Sequence, residues 1–451
     1  MDKTMVMETA ARQKLPIKIK VAYALGQLGW SILSGIVQVW LVWFYNPPST
    51  VNIPEMIPRT SVLGFLTVIG LITMAGRFID SITDPWIASL SDRSKNPLGR
   101  RIPFMKKAVL PFTLLTILVF LMPSQTVSGW NVVWLTVSLL LYYLFYTMYV
   151  APYFALTSEL GYTEKDRLDL STYIALTWFI GYILASGASF IWPVFQNMGM
   201  SLVSSIRLSL SILALVGMLF MVIPVFMIDE RKYVQSKPAP SNFLKALKAT
   251  FSNRNFVIFE IFFLAYGIAI TIFQTGNVYY VTVLLGFDET WVTIITAVTG
   301  ILAFLLYPAV NILTPKIGKK KLCFFAMIML IGAYLYCAFL GVLPFAPVIQ
   351  AFIFVFMAGI GFAIFGILPN AIVADIAKKD GDHNGEYKEG MFFAVQTFMN
   401  KLGQMIAMVV FSTILLLGKD PGQDFGIRLT GIVAAVIGFV ALIIFTRFEE
   451  E

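Results

Sequence analysis

The chain has 451 residues, of which 58% are hydrophobic and 13% charged. Soluble chains carry about 25% charged residues, so this composition excludes an ordinary soluble domain and points to repeated membrane crossings. The net charge of +8 sits in short segments between apolar runs. There it reads as a topology signal, and no nucleic-acid partner is expected from it.

Residues 1–17 form a polar, basic cytoplasmic tail. The first apolar run, Val21 to Tyr45, is too long for a signal-peptide core and lacks a clear small-residue cleavage site, so it reads as a retained first span. The Pro-rich stretch YNPPSTVNIPEMIPRT breaks it and leads to a second span starting at Ser61. Further spans are expected at 104–122, 130–159, 169–195 and 203–228. The polar stretch from Asp229 to Asn255 then divides the chain, and six more spans follow at 256–285, 289–314, 321–343, 346–375, 389–418 and 424–446. The expected architecture is an all-α integral membrane protein with 12 transmembrane helices. They form two six-helix bundles, 18–228 and 256–451, joined by a central cytoplasmic loop, 229–255. Of the 33 Lys and Arg residues, 27 fall on the side of the tail and the even-numbered loops. Four (Arg59, Arg207, Lys419 and Arg428) fall opposite, which predicts both termini in the cytoplasm of a cell-membrane protein.

The two halves repeat. Pro97-Leu98-Gly99-Arg100-Arg101 follows the second span and Lys316-Ile317-Gly318-Lys319-Lys320 the eighth, while Pro152 and Pro369 mark the ends of the fourth and tenth. Tandem six-helix halves suit a transporter whose substrate sits between them near mid-membrane, and rocking of the halves is the expected mechanism.

The second span carries Arg77, Asp80 and Asp84. Asp80 and Asp84 share one helix face, and Asp80 lies twelve residues from Asp92, about 18 Å into the bilayer. A lone Asp at that depth costs roughly 2.5–3.5 kcal/mol, and two carboxylates one turn apart repel unless a cation or a shared proton intervenes. Oxygen ligands suit Na⁺ or Li⁺, with Thr83 nearby to complete the shell. An ion pair between Arg77 and Asp80 is the structural alternative. Lys401, mid-way along the eleventh span, is expected to pair with Asp80 or Asp84 rather than to snorkel. The two basic turns, with Arg93, Arg100 and Arg101 in the first, read as cytoplasmic gate contacts to Asp92, Glu159 and Asp375; without a preceding strand or a P-loop pattern they are not phosphate cradles. Glu260, near the cytoplasmic end of the seventh span, is open to a solvated, gating or transport role. His383 reads as a solvated loop residue, and Cys323 and Cys337 fit neither a disulfide framework nor a metal pattern. The aromatic residues read mostly as packing or lipid-facing. No enzyme site is expected, since no nucleophile–base pair lies at membrane depth, and no cofactor is expected beyond a coupling cation.

With RFIDSITDP followed by LGRRIPF, APYFALTSEL followed by DRLDLSTY, and ADIAKKDGDHNGEYKEGMFFAVQTFMNKLG, the chain resembles the glycoside–pentoside–hexuronide:cation symporters of the major facilitator superfamily over nearly its whole length. The resemblance implies cation-coupled symport of a small organic solute by a monomer. It also implies that Asp80, Thr83, Asp84 and Thr147 hold the cation, that Lys401 is the family's eleventh-span Lys, and that Na⁺ is the coupling ion, with Li⁺ or H⁺ as alternatives. Sugar-transporting members carry an Asp, an Asp and an Arg where this chain has Ser31, Val150 and Ala175. A sugar or glycoside is the expected substrate and an amphipathic lipid such as a lysophospholipid the alternative. A non-transporting sensor on the same fold is the more distant reading.

Overall fold

The computed structural model describes residues 15–59, 61–62, 66–160, 164–233, 251–384 and 389–450. The described residues are mainly helical, with one short two-stranded hairpin. The first helix, α1 (Ile17–Tyr45), is followed by β1 (Ser61–Val62) paired antiparallel with β2 (Leu66–Thr67), and then by α2 (Val68–Asp92). The second span therefore begins later than its composition suggests. Thr67 Oγ1 accepts the Gly70 N–H at 3.0 Å and caps the helix at that point. Next come α3 (Ile102–Leu118), α4 (Gly129–Leu160), α5 (Glu164–Ser186), α6 (Ala188–Asn197), α7 (Leu202–Met227) and the single turn α8 (Glu230–Tyr233). The expected fifth span is thus two helices, α5 and α6, broken at Gly187.

In the second half, α9 (Arg254–Tyr279) passes into a π-helical turn (Tyr280–Leu284). It is followed by α10 (Thr290–Ile317), α11 (Lys319–Cys337), α12 (Pro347–Asn384), α13 (Glu389–Ile414) and α14 (Phe425–Phe445). Helix α12 runs nine residues past the expected end at Asp375, and the backbone of His383 belongs to its last turn; the His383 side chain lies outside the described residues. Among the described residues, ten helical segments are long and apolar enough to cross a membrane. The other two expected spans are occupied by α2, which carries the three buried or half-buried charges, and α3, which is 17 residues long. Large apolar side chains such as Leu219, Phe226, Leu305 and Val436 are exposed on the helix surfaces, as lipid-facing residues are.

The chain divides into two compact units, one of residues 1–41 and 78–239, the other of residues 42–77 and 240–451. In the first, α1 and α7 touch through their backbones: a Cβ on Gly29 would lie 2.4 Å from the Gly217 carbonyl, the close approach that small residues permit between membrane helices. Tyr23 and Tyr153 stack at 4.2 Å, and each hydroxyl donates to the other's main-chain carbonyl at 2.7–2.8 Å. In the second unit, Asn46 accepts from Lys419 Nζ through its side chain and from the Tyr279 hydroxyl (2.8 Å) through its carbonyl, and the Ser49 amide donates to Asp420.

The duplication read from the sequence is also a duplication of fastenings. Asn131 ties the loop before α4 by accepting from Ser124 N and donating to the Ser124 and Thr126 carbonyls. Gln350, 219 residues later, does the same at the start of α12 with Gly341 N and the Leu343 and Phe345 carbonyls. Arg207 donates to the Phe120 carbonyl, and Arg428 to those of Ala338 and Leu340. Each half thus closes the ends of its own helices with the same side-chain chemistry.

Candidate functional site

Helix α2 brings Asp80 into a fully enclosed position, 0% exposed, beside Thr147 of α4. The Thr147 hydroxyl donates to Asp80 Oδ1 at 2.7 Å. Thr83 Oγ1 lies 3.2 Å from Thr147 Oγ1 and 2.9 Å from the Ile79 carbonyl, to which a helical Thr turns its hydroxyl back. One carboxylate and two hydroxyls therefore meet in a buried setting between two helices of one unit. A carboxylate there gains from any cation that the three oxygens can share, and hard oxygen donors match an alkali cation. Both hydroxyls keep lone pairs after donating their protons, so the donor set fits a small monovalent cation.

Three of the four expected ligands thus converge. Asp84 is one turn further along the same helix and half-buried. Arg77 lies three residues before Asp80 and is buried, so this part of α2 carries both signs of charge. Lys401 belongs to the second unit. It is half-buried on α13 next to Asn400, the residue that α13 packs against Gly267 of α9.

The two basic turns are each braced inside their own unit. Arg101 donates to Glu159 Oε1 through Nη2 (2.8 Å) and Nε (3.2 Å), with Arg100 3.4 Å away. Arg101 Nη1 also reaches Ser91. Arg93 is exposed, and the Asp92 side chain lies outside the described residues. In the second unit Lys319 pairs with Asp375.

Two carboxylates escaped the sequence reading. Glu230 on α8 accepts the amides of Arg100 (2.6 Å), Arg101 (2.8 Å) and Ile102 (3.0 Å), which are the unpaired donors at the start of α3. Glu450 accepts the Lys319 and Lys320 amides at the start of α11. The turns have φ +117° at Gly99 and +92° at Gly318, and a Cβ on Gly99 would meet Glu230 Oε2 at 2.2 Å, so both the backbone angle and the carboxylate require glycine in the first turn. The 220-residue interval between Glu230 and Glu450 matches the repeat and is the signal that would have found them. Also missed was Lys20 of α1, which bridges Asp166 (2.7 Å) and Asp169 (2.6 Å) of the DRLDL segment.

The profile of a known family, MFS/sugar transport protein, matches residues 22–420. The inner membrane symporter YicJ of Escherichia coli is 22% identical over 90% of this chain and 83% of that protein. A putative 2,3-dihydroxypropane-1-sulfonate exporter of Salmonella typhimurium is 27% identical over 88% of this chain and 83% of its own length. Among solved structures, a D-xylose–proton symporter superimposes with a TM-score of 0.70 at 14% identity, covering 97% of this chain and 99% of that one. Such a likeness shows a shared fold, and the family match shows descent. The chain belongs to the MFS/sugar transport family, the glycoside–pentoside–hexuronide type of symporter, and is a multi-pass membrane transporter rather than an enzyme.

Proposed function

We propose that the protein is a cation-coupled symporter of a small hydroxylated organic solute, working by alternating access, with Asp80, Thr83 and Thr147 as the core of the cation site and Asp84 as its fourth oxygen donor. The observation that carries this reading is the 2.7 Å bond from Thr147 to a carboxylate with no exposed surface. An ionised carboxylate that deep in a membrane protein is costly, and a transported cation offsets the cost each time it binds. Na⁺ is the favoured ion because the donors are all oxygens; Li⁺ fits the same set, and a proton would need only Asp80.

The solute is proposed to be a sugar or glycoside. The positions at which sugar-transporting members carry charged groups are Ser31, Val150 and Ala175 here, and Ser31 is occupied within its own helix by Gln27 (2.9 and 2.7 Å). Recognition would therefore rest on uncharged donors and aromatic faces. The same lack of charge leaves an amphipathic lipid as the second reading.

The test is thermal unfolding of the purified protein with and without Na⁺, followed by uptake in vesicles. The wild type is expected to be stabilised by Na⁺. Asp80→Asn is expected to reach the membrane, lose that stabilisation and lose Na⁺-driven accumulation. An Asp80→Asn protein that keeps the wild-type Na⁺ response would remove Asp80 from the site. A panel of sugars, glycosides and lysolipids, each with and without Na⁺, identifies the solute class by mutual enhancement of binding.

A further inference from the structure

We propose that the outer seam between α3 and α7 binds an anionic phospholipid, with its phosphate held by Lys106, Lys107, Arg231 and Lys232 and its chains lying along the apolar faces that flank the seam. The site belongs to the first unit and does not rest on the transport reading. Helices α3 and α7 pack on each other and are tied at both ends. At one end Arg207, near the start of α7, donates to the Phe120 carbonyl just beyond α3 at 2.8 Å. At the other end, Lys106 Nζ of α3 lies 5.4 Å from the centre of the Phe226 ring of α7, and Glu230 of α8 accepts the Ile102 amide at 3.0 Å. The helices therefore run antiparallel, and the end of α7 and the turn α8 stand beside the first turns of α3.

The apolar faces follow from helix spacing. Lys106, Leu110 and Leu114 recur every four residues on α3, while Leu215, Leu219 and Phe226 fall on one face of α7; all six are exposed. Because Lys106 meets Phe226 across the seam, these two faces flank it. They continue the surface that the protein turns to lipid. Phe226 is 71% exposed, so its ring offers an apolar surface to a lipid chain.

The cations gather where these faces end. Lys106, Lys107, Arg231 and Lys232 are exposed. Among the described residues, no carboxylate pairs with their side chains. Of the two carboxylates nearest Arg231 in the chain, Glu230 is buried against three amides and Asp229 accepts the Arg231 amide at 3.1 Å. The Phe226 ring attracts the Lys106 ammonium through its face but leaves its N–H donors for another acceptor. A phospholipid satisfies both halves of the surface. Its phosphate supplies strong acceptors to ammonium and guanidinium groups, and its chains supply hydrocarbon to Phe226, Leu110 and Leu219.

The internal repeat separates this cluster from a mere topology signal. With residues 97–101 equivalent to 316–320, Lys106 and Lys107 correspond to Phe325 and Ala326. Phe325 is exposed on α11, so the fold accepts an apolar residue at that turn. The second half keeps its lysines, Lys319, Lys320 and Lys321, at the helix start. The pair one turn further in is particular to the first half.

The test uses the full-length protein in detergent, titrated with phosphatidylglycerol or phosphatidylcholine and read by native mass spectrometry. Phosphatidylglycerol is expected to bind in preference. Lys106→Gln with Lys107→Gln is expected to weaken that binding about thirtyfold, as the loss of two cations at a membrane surface implies, whereas Lys106→Arg with Lys107→Arg keeps it. Lys321→Gln with Arg447→Gln, which removes two exposed cations of the second unit, is expected to change nothing. No preference between the two lipids, or an equal loss in the second-unit pair, would overturn the site. Glycerophosphoglycerol, the headgroup without chains, is expected not to compete; displacement of the lipid by it would mean that the apolar faces contribute nothing, and the proposal falls. Dimers that dissociate in the lysine-to-glutamine variant, with lipid binding unchanged, would make the seam a contact between copies instead. The comparison of the two lipids needs no variant and stands if a variant does not fold. No arm includes Na⁺ or a solute, so failure here leaves the Asp80 site untouched, and failure there leaves this one.

Discussion

At the scale of single residues, the second span announced itself because charges in an apolar run are a local signal. Asp80, Thr83 and Asp84 fall on one face by spacing alone. Thr147, 67 residues further on, was reached only through the resemblance, and the structure then supplied its contact with Asp80. Replacing Thr147 by Ala removes a hydroxyl bonded to a buried carboxylate. The concentration of Na⁺ giving half-maximal stabilisation is expected to rise about tenfold, or ~1.4 kcal/mol, as read from unfolding curves at graded Na⁺. Glu260, which the sequence left open to a solvated, gating or transport role, is 1% exposed six residues into α9. Lys419, in the turn before α14, illustrates a burial effect outside the spans. Its pKa is lowered to about 8, first by desolvation and then by the neighbouring Arg59 charge. The folded protein then binds fewer protons than the unfolded chain between about pH 8 and the ordinary Lys value, so stability attributable to Lys419 rises with pH through that window and its cost is fully present below it. Lys419→Met is expected to be less pH-dependent than wild type between pH 7 and 10 by thermal unfolding.

At the scale of elements, the apolar runs gave most of the helices within a few residues, since membrane length dictates them. What composition could not show was where α2 starts, because the Thr67 cap and the preceding hairpin are local geometry rather than hydropathy. Nor could it show the break at Gly187. The carboxylate caps were invisible for a different reason: Glu230 meets the start of α3 from about 130 positions away in the chain. Glu230→Ala strips an acceptor from three amides at a buried helix start, a loss on the order of 1–2 kcal/mol from the cap and its charge. Glu450 makes the equivalent contact from an exposed position. A larger drop in unfolding temperature is therefore expected for Glu230→Ala than for Glu450→Ala; equal drops would mean that burial of the cap is immaterial.

At the scale of the whole molecule, the duplication was legible because basic turns and prolines recur at nearly constant intervals, and Asn131/Gln350, Arg207/Arg428 and Glu230/Glu450 extend it to the fastenings. Orientation rests on the count of Lys and Arg and is open to direct measurement. Cys323 and Cys337 are both buried, so the natural thiols are expected to resist membrane-impermeant maleimides. Arg93→Cys is then expected to react in inside-out vesicles and Val127→Cys in right-side-out ones; the reverse pattern would invert the topology. One consequence concerns dissection of the gene. Residues 42–77 belong structurally to the unit made by residues 240–451, with Asn46 receiving Lys419 and Tyr279, and Ser49 donating to Asp420. A cut in the central loop therefore leaves the downstream fragment without the segment that bonds to Tyr279, Lys419 and Asp420. Expressed alone, that fragment should be short-lived, and supplying the upstream fragment from a second plasmid should rescue its abundance.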